Sequence, residues 1–336
     1  MNRVIEKDVA IVGAGPVGLF TVFEMGLLGY NCVVIDSLPQ IGGQCSELYP
    51  EKPIYDIPAY PMILAGDLSD KLEEQIKPFN PEYVLGDEVT TLEGEAGNFT
   101  LTAGETTIKA KVIVVAAGAG VFTPRKPPIS NLADFEGSAV FYAVKKKNQF
   151  KDKTVVIAGG GDSAVDWAVA LGDICKHIHV VHRRDDFRAA EATVQKMRDL
   201  EKAGKLSLHT PYQLKELNGE KNTLQEVVLS QRGGEDKILK ADNLLCFFGL
   251  VPSLGPLAEW GLGIAKKKIV VEPATMQTTV PGILGSGDIT EYPGKLDLIL
   301  TGFAESAIAA KTAQSIIEPE KRFKLIYTTS SGVPAE

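Results

Sequence analysis

The sequence predicts an α/β protein made of two Rossmann-like nucleotide-binding domains, the second inserted in the first. Three observations carry this reading. A short apolar run, Val9 to Val12, meets Gly13, Gly15 and Gly18 in the order G-x-G-x-x-G, and a helix-like stretch and a second strand, Cys32 to Ile35, follow and end at Asp36. The pattern restarts at Thr154–Ala158 with Gly159 and Gly161, Ala164 standing in the place of the third glycine, and continues through Val165–Gly172 to the strand His177–Val181. Each half closes on a continuous apolar run ending in small residues or glycine, Val112–Gly118 and Asn243–Gly249, as a buried parallel strand requires. The predicted boundaries are residues 1–119 with 252–336 for the first domain and 120–251 for the second.

The first glycine cluster assigns a task to each member. Gly13 permits a tight turn, Gly15 lets backbone N–H groups approach a pyrophosphate, and Gly18 lets the helix pack on the strand. The helix N-terminus adds partial positive charge for the phosphates, and Asp36 is placed to accept hydrogen bonds from ribose hydroxyls. Strand, turn, helix and acid together indicate a dinucleotide of unspecified kind.

Composition narrows the class. With 336 residues, 44% hydrophobic and 23% charged, the chain reads as soluble and globular, long enough for two domains. A net charge of −8 argues against nucleic-acid binding. No apolar run approaches the roughly 20 residues of a membrane span, and the first apolar stretch is the glycine turn itself rather than a secretory signal. Cys32, Cys45, Cys175 and Cys246 are scattered without metal-ligand spacing, so no metal is expected. The expected location is cytoplasmic.

Taken in order, Pro39–Cys45 is a glycine-rich loop that either folds over a bound nucleotide or is a surface turn. Leu48–Pro50 and Tyr55–Pro61 are too rich in proline for regular helix, and their tyrosines are either core anchors or ring-stacking groups. Asp67–Pro78 has helical periodicity through Leu68, Leu72 and Ile76. Tyr83–Leu92, Asn98–Thr102 and Thr107–Ala110 suggest a small antiparallel sheet separate from the run that follows. Thr123–Pro128 and Val251-Pro252 read as the crossings between domains. Near the C-terminus Asp288 follows glycines at a strand end, and Leu298–Glu305 opens a helix of small residues, Ser306–Ile317. The polar tail from Phe323, alone, would pass for a frayed terminus.

The second turn differs from the first at one informative place. Its second strand ends in His182, Arg183 and Arg184, with Arg188 beyond, where the first has an acid. Guanidinium groups there bind a 2′-phosphate bidentately, whereas an acid repels it. That points to NADP rather than NAD, the plain alternative being a solvated basic helix start.

Two nested nucleotide folds, a Gly-Asp near the C-terminus and the run His182-Arg183-Arg184-x-x-Phe187-Arg188-Ala189 resemble the two-dinucleotide flavoprotein reductases, within them the thioredoxin reductase group. The similarity spans nearly the whole chain. It implies three-layer ββα domains, FAD in the first fold and NADPH in the second. Thioredoxin reductases carry a C-x-x-C before the second nucleotide strand, and here that stretch is Val140–Lys147, without cysteine. Together with Gln44–Pro50, Leu298–Glu305 and the extension past the last helix, this is similar to the thioredoxin-reductase-like ferredoxin–NADP reductases.

Carried over by motif, that resemblance implies that Gly13, Gly15, Pro16, Gly18, Asp36, Gln44, Tyr49, Val89, Phe122, Asp288 and Thr329 contact FAD. It places Gly159, Gly161, Asp162, Ser163, His182, Arg183, Arg184 and Arg188 on NADPH. In a homodimer, Tyr49 would cover one face of the flavin, and Tyr327 (Phe323 less well) from the partner's extension would cover the other. No acid–base residue is implied, because hydride and single electrons move through the cofactors. The implied partner is ferredoxin, or flavodoxin in its place. Lys145–Lys147, Lys151, Lys153 and Lys266–Lys268 are candidates to dock it or are solvated faces. A quinone or dithiol-partner reductase, and a flavoprotein redox sensor without turnover, share most of these motifs.

Overall fold

Strand Arg3–Val12 lies inside a seven-stranded sheet because its second half, Val9 to Val12, is apolar on both faces and buried on both. The computed structural model describes residues 3–324 and 327–333. It divides into two units, Met1–Phe122 with Pro252–Glu336, and Thr123–Val251.

In the first unit the strand order is Glu82–Leu85, Cys32–Asp36, Arg3–Val12, Thr106–Val115, Asn98–Ala103 and Val89–Glu95, with Ile283–Gly285 also pairing parallel to Thr106–Val115. Register decides where a ligand can sit. Val12 is opposite both Ile35 and Val115, and Gly285 is opposite Val115. The carboxyl ends of four parallel strands therefore converge at one edge, the ordinary ligand position of such sheets. Helix Pro16–Leu27 packs on helices Ala65–Ile76 and Ile299–Ile317. Thr21 Oγ1 meets Ser306 Oγ at 3.0 Å across the second of these pairs.

Two expectations about strands are corrected. Thr107–Ala110 and the run after it are one strand, Thr106–Val115, antiparallel to Asn98–Ala103 along its first half and parallel to Arg3–Val12 throughout. Its burial alternates at first and becomes continuous from Val112, so one strand carries two patterns. Tyr83–Leu92 is two strands, broken at Gly86, whose φ of +83° a side chain would resist. Helix Ile299–Ile317 takes in the segment that opens it, as expected, and Glu305 lies buried in its second turn.

The second unit holds a five-stranded parallel sheet, in the order Val140–Phe141, Asn243–Cys246, Thr154–Ala158, His177–Val181 and Leu206–His209. Beside it are the antiparallel sheet Gln213–Glu220, Thr223–Ser230 and Lys237–Lys240 and the helices Asp162–Leu171 and Glu191–Lys202. The second of these helices buries Met197 alone among its residues and is otherwise polar. Among the described residues no helix is long and apolar enough to cross a membrane.

Candidate cofactor sites

The converging strand ends of the first unit open into a cleft. Its wall brings together Gly13, Gly15, Pro16, Asp36, Gln44, Tyr49, Val89, Phe122 and Asp288, drawn from stretches far apart in the chain. Gly18 does not line the cleft. It lies beneath the turn, where a Cβ would fall 1.9 Å from the Gly13 carbonyl oxygen. Gly13 has φ +114°, and its absent side chain lets the turn rest on Ala116, whose oxygen would be 2.3 Å from a Cβ. Gly15 differs from both: only the Gly43 Cα comes within 4 Å, at 3.9 Å, so this side of the turn is open. Gly15 is also the N-cap of helix Pro16–Leu27 and supplies no side-chain cap, which leaves first-turn N–H groups for an anion. An open backbone cradle at a helix N-terminus fits the pyrophosphate of a dinucleotide.

Asp36 stands at the next strand end, mostly buried. Its Oδ2 accepts the Ala14 N–H at 2.7 Å and its Oδ1 accepts the Leu38 N–H at 2.9 Å. Burial raises its pKa, and those two backbone donors oppose the rise. The carboxylate thus braces the turn while each oxygen keeps a lone pair for a hydroxyl. Of the 39–45 stretch, which had two readings, Gly43, Gln44 and Cys45 line the cleft. Gly42 (φ +100°) leads into a short helical turn, Gly43–Glu47, that brings Gln44 and Cys45 to the wall. Cys45 Sγ lies 3.9 Å from the Tyr49 hydroxyl, and burial pushes that thiol up to about 11 and the phenol higher still. Neither group ionises near neutrality, so Tyr49 offers a ring and a neutral hydroxyl.

Behind the far wall lies a group that motif reading missed. Glu305 is 2% exposed and takes three donors: the Gly287 N–H (2.6 Å) on Oε2, and the Tyr292 hydroxyl (2.5 Å) and Lys295 Nζ (2.5 Å) on Oε1. The sequence signal was a single acid in the apolar run Ile299–Ala310. Asp288, next to Gly287 on the wall, has its pKa raised by burial and by Asp297, with Lys295 and Lys268 pulling the other way.

Two other candidates do not reach the cleft. Tyr327 is 65% exposed and Thr329 is exposed in the short helix Thr328–Ser331; neither lines the wall.

In the second unit, Gly159 permits close approach to the Phe247 carbonyl, and Gly160 leaves room for the His182 ring, whose atoms would be 2.3 Å from a Cβ. Gly161, N-cap of helix Asp162–Leu171, has nothing within 4 Å of that position and is open, as Gly15 is. The Arg188 N–H donates to the Gly160 carbonyl at 2.7 Å, and Asp162 Oδ1 accepts the Ala190 N–H at 3.1 Å, which folds the arginine stretch back beside the turn. Ser163, Arg183, Arg184 and Arg188 are exposed there. Burial and the three neighbouring arginines lower the His182 pKa, so the ring is neutral near pH 7.

The lysine runs separate on inspection. Lys266 pairs with Glu291 and Lys268 with both oxygens of Asp297, so these two charges are already answered. Lys151 and Lys153 precede strand Thr154–Ala158, at the end of the sheet opposite its glycine turn.

Comparison with known proteins identifies the family. The profile of the family described as pyridine nucleotide-disulphide oxidoreductase matches residues 7–313. A protein of Granulibacter bethesdensis named ferredoxin–NADP reductase is 50% identical over 99% of this chain and 95% of its own. One of the same name from Paramagnetospirillum magneticum is 49% identical over 98% of each. Among solved structures, Lactococcus lactis thioredoxin reductase superposes with a TM-score of 0.76 at 25% identity, covering 93% of this chain and 99% of that one. Thioredoxin reductase of T. acidophilum gives 0.77 at 23% identity over 92% and 98%, a likeness of fold. The chain belongs to the pyridine nucleotide-disulphide oxidoreductase family and, within it, to the family of these ferredoxin–NADP reductases.

Proposed function

We propose that the chain is an FAD-dependent ferredoxin–NADP reductase. It would hold FAD in the cleft of the first unit and NADP(H) at the second glycine turn. The observation that carries the reading is the pair of open glycine turns with opposite chemistry beyond them, Asp36 after the first and Arg183, Arg184 and Arg188 after the second. Near-half identity to full-length ferredoxin–NADP reductases supports the substrate pair.

When bound, the flavin supplies the chemistry that joins two-electron hydride transfer to one-electron transfer. The chain's part is binding and shaping. Gly15 and the N-terminus of helix Pro16–Leu27 hold the pyrophosphate, Asp36 the adenine-side ribose, and Gln44, Tyr49 and Asp288 border the ring end. Gly161 and helix Asp162–Leu171 hold the second pyrophosphate, and Arg183, Arg184 and Arg188 its 2′-phosphate. Val140–Lys147 lacks cysteine, so no dithiol of this chain stands in the thioredoxin reductase position and electrons leave to an external carrier.

A homodimer belongs to the same proposal. Tyr60, Met62, Leu298 and Leu300 are exposed in the first unit, and Phe20, Ile57, Leu72 and Phe303 line a groove with Tyr60. A second copy would cover that surface and bring Tyr327 to the flavin face opposite Tyr49. A cytoplasmic setting is supported by free thiols at Cys32, Cys45, Cys175 and Cys246.

The test is anaerobic titration of the purified flavoprotein. NADPH should bleach the flavin, NADH should do so far less well, and oxidised ferredoxin should restore the colour. A flavin that NADPH reduces and ferredoxin does not reoxidise would refute the proposal.

A further inference from the structure

We propose that Lys295, Glu305 and Tyr292 form a charge-balanced positioning cluster that fixes the Gly287–Asp288 wall of the cleft and tunes the potential of the flavin held there. The proposal rests on the reading of that cleft as an FAD site.

The cluster is deeply buried, with both charged side chains 3% exposed. Placing a full ion pair in such surroundings is costly, and apolar residues of similar volume commonly serve stability as well or better. What the pair provides here is direction. Glu305 Oε2 accepts the Gly287 N–H at 2.6 Å, so the carboxylate is one hydrogen bond from the cleft wall. Lys295 and Tyr292 saturate Oε1 from the other side and hold the acid in one orientation. Steric fit completes the clamp. A Cβ on Gly302 would fall 2.4 Å from the Val17 side chain and 3.2 Å from the Gly287 Cα, and one on Gly287 would touch Val17 at 3.3 Å. Val17 itself follows the phosphate turn and lines the cleft. The phosphate turn, the Asp288 turn and the start of helix Ile299–Ile317 are thereby locked to one another.

The same geometry sets the field. With both partners present the cluster is neutral towards the cleft. Removing Glu305's charge leaves a buried cation behind the wall, which favours added electrons on the flavin. Removing Lys295's charge leaves a buried anion, which disfavours them.

The test measures the flavin midpoint potential of the holoenzyme for wild type, Glu305→Gln, Lys295→Met and the double variant. Glu305→Gln should raise the potential and Lys295→Met lower it. Each should change the equilibrium ratio of reduced to oxidised flavin on the order of tenfold, about 30 mV for a two-electron couple. The double variant should return towards wild type. Shifts of one sign in both single variants, or none in either, would overturn the inference, because a merely structural role has no reason to give opposite signs. If a charge variant does not fold, Tyr292→Phe keeps both charges and removes one donor from the carboxylate. A potential lowered by about threefold in that ratio is then expected, and an unmoved one overturns the proposal. Wild-type protein that retains no FAD would instead refute the cofactor reading itself, so the two failures are distinct.

Discussion

Replacing Gly15 by alanine separates cofactor binding from folding. The residue has φ −71° and ψ 177°, an extended conformation any amino acid adopts, and its new methyl would meet only the Gly43 Cα at 3.9 Å. The cost to the fold is therefore limited to the weaker N-capping of alanine, below about 1 kcal/mol. The methyl would occupy the side from which phosphate must approach. Losing one hydrogen bond from backbone N–H to a charged oxygen costs about 1.5–3 kcal/mol, which corresponds to roughly a 10- to 150-fold rise in the FAD dissociation constant. Flavin fluorescence titration of the apoprotein measures this, with thermal unfolding as the control. Gly18→Ala should behave oppositely, because its methyl falls 1.9 Å from a carbonyl oxygen and must disrupt the turn itself. A Gly15→Ala protein that binds FAD as tightly as wild type would refute the placement of pyrophosphate at this turn.

Other outcomes follow from the same geometry. Gly161→Ala, also unobstructed, should raise KM for NADPH on the order of tenfold or more with FAD content unchanged, read by steady-state kinetics. Arg184→Ala should narrow the preference for NADPH over NADH by about tenfold or more, since one charge-assisted contact is lost only with the phosphorylated cofactor; an unchanged ratio counts against the 2′-phosphate assignment. Tyr327→Ser should alter the rate of flavin reduction by NADPH in rapid mixing while FAD stays bound, and identical rates would remove Tyr327 from the site. Burial lowers His179 and His209 from 6.5 to about 4; His177 and Lys237 add to the fall at His179, and Lys237, His179 and His177 add to it at His209. The unfolded chain then binds more protons between those values. Stability should be complete above about pH 6.5 and decline as pH falls towards 4, by on the order of 1–2 kcal/mol per group once solvent screening of these half-buried rings is allowed for. A thermal midpoint flat across that range in the wild type, or falling as steeply in His179→Gln/His209→Gln, would contradict this.

The two glycine turns are legible in the sequence because their constraint is local: a turn needs glycine wherever backbone meets backbone, and Gly13, Gly15 and Gly18 stand within six residues. The strands beside them are legible where burial covers both faces, as at Val9–Val12. Legibility fails where one element serves two neighbourhoods, as in Thr106–Val115, or where an amphipathic helix carries few apolar residues, as in Glu191–Lys202. It fails again for Glu305 and Lys295. These are polar residues in an apolar context, and their role depends on a partner turn at Gly287 that spacing alone does not bring near. Tyr49 reaches the cleft through the turn at Gly42, whose positive φ the glycine-rich loop only hinted at.

The proposed electron path is tested most directly by NADPH-driven cytochrome c reduction with and without added ferredoxin. The account predicts a low rate with reductase alone and a rate that rises with ferredoxin to saturation. A rate indifferent to ferredoxin, in an enzyme that readily reduces a quinone or a dithiol partner with NADPH, would contradict it.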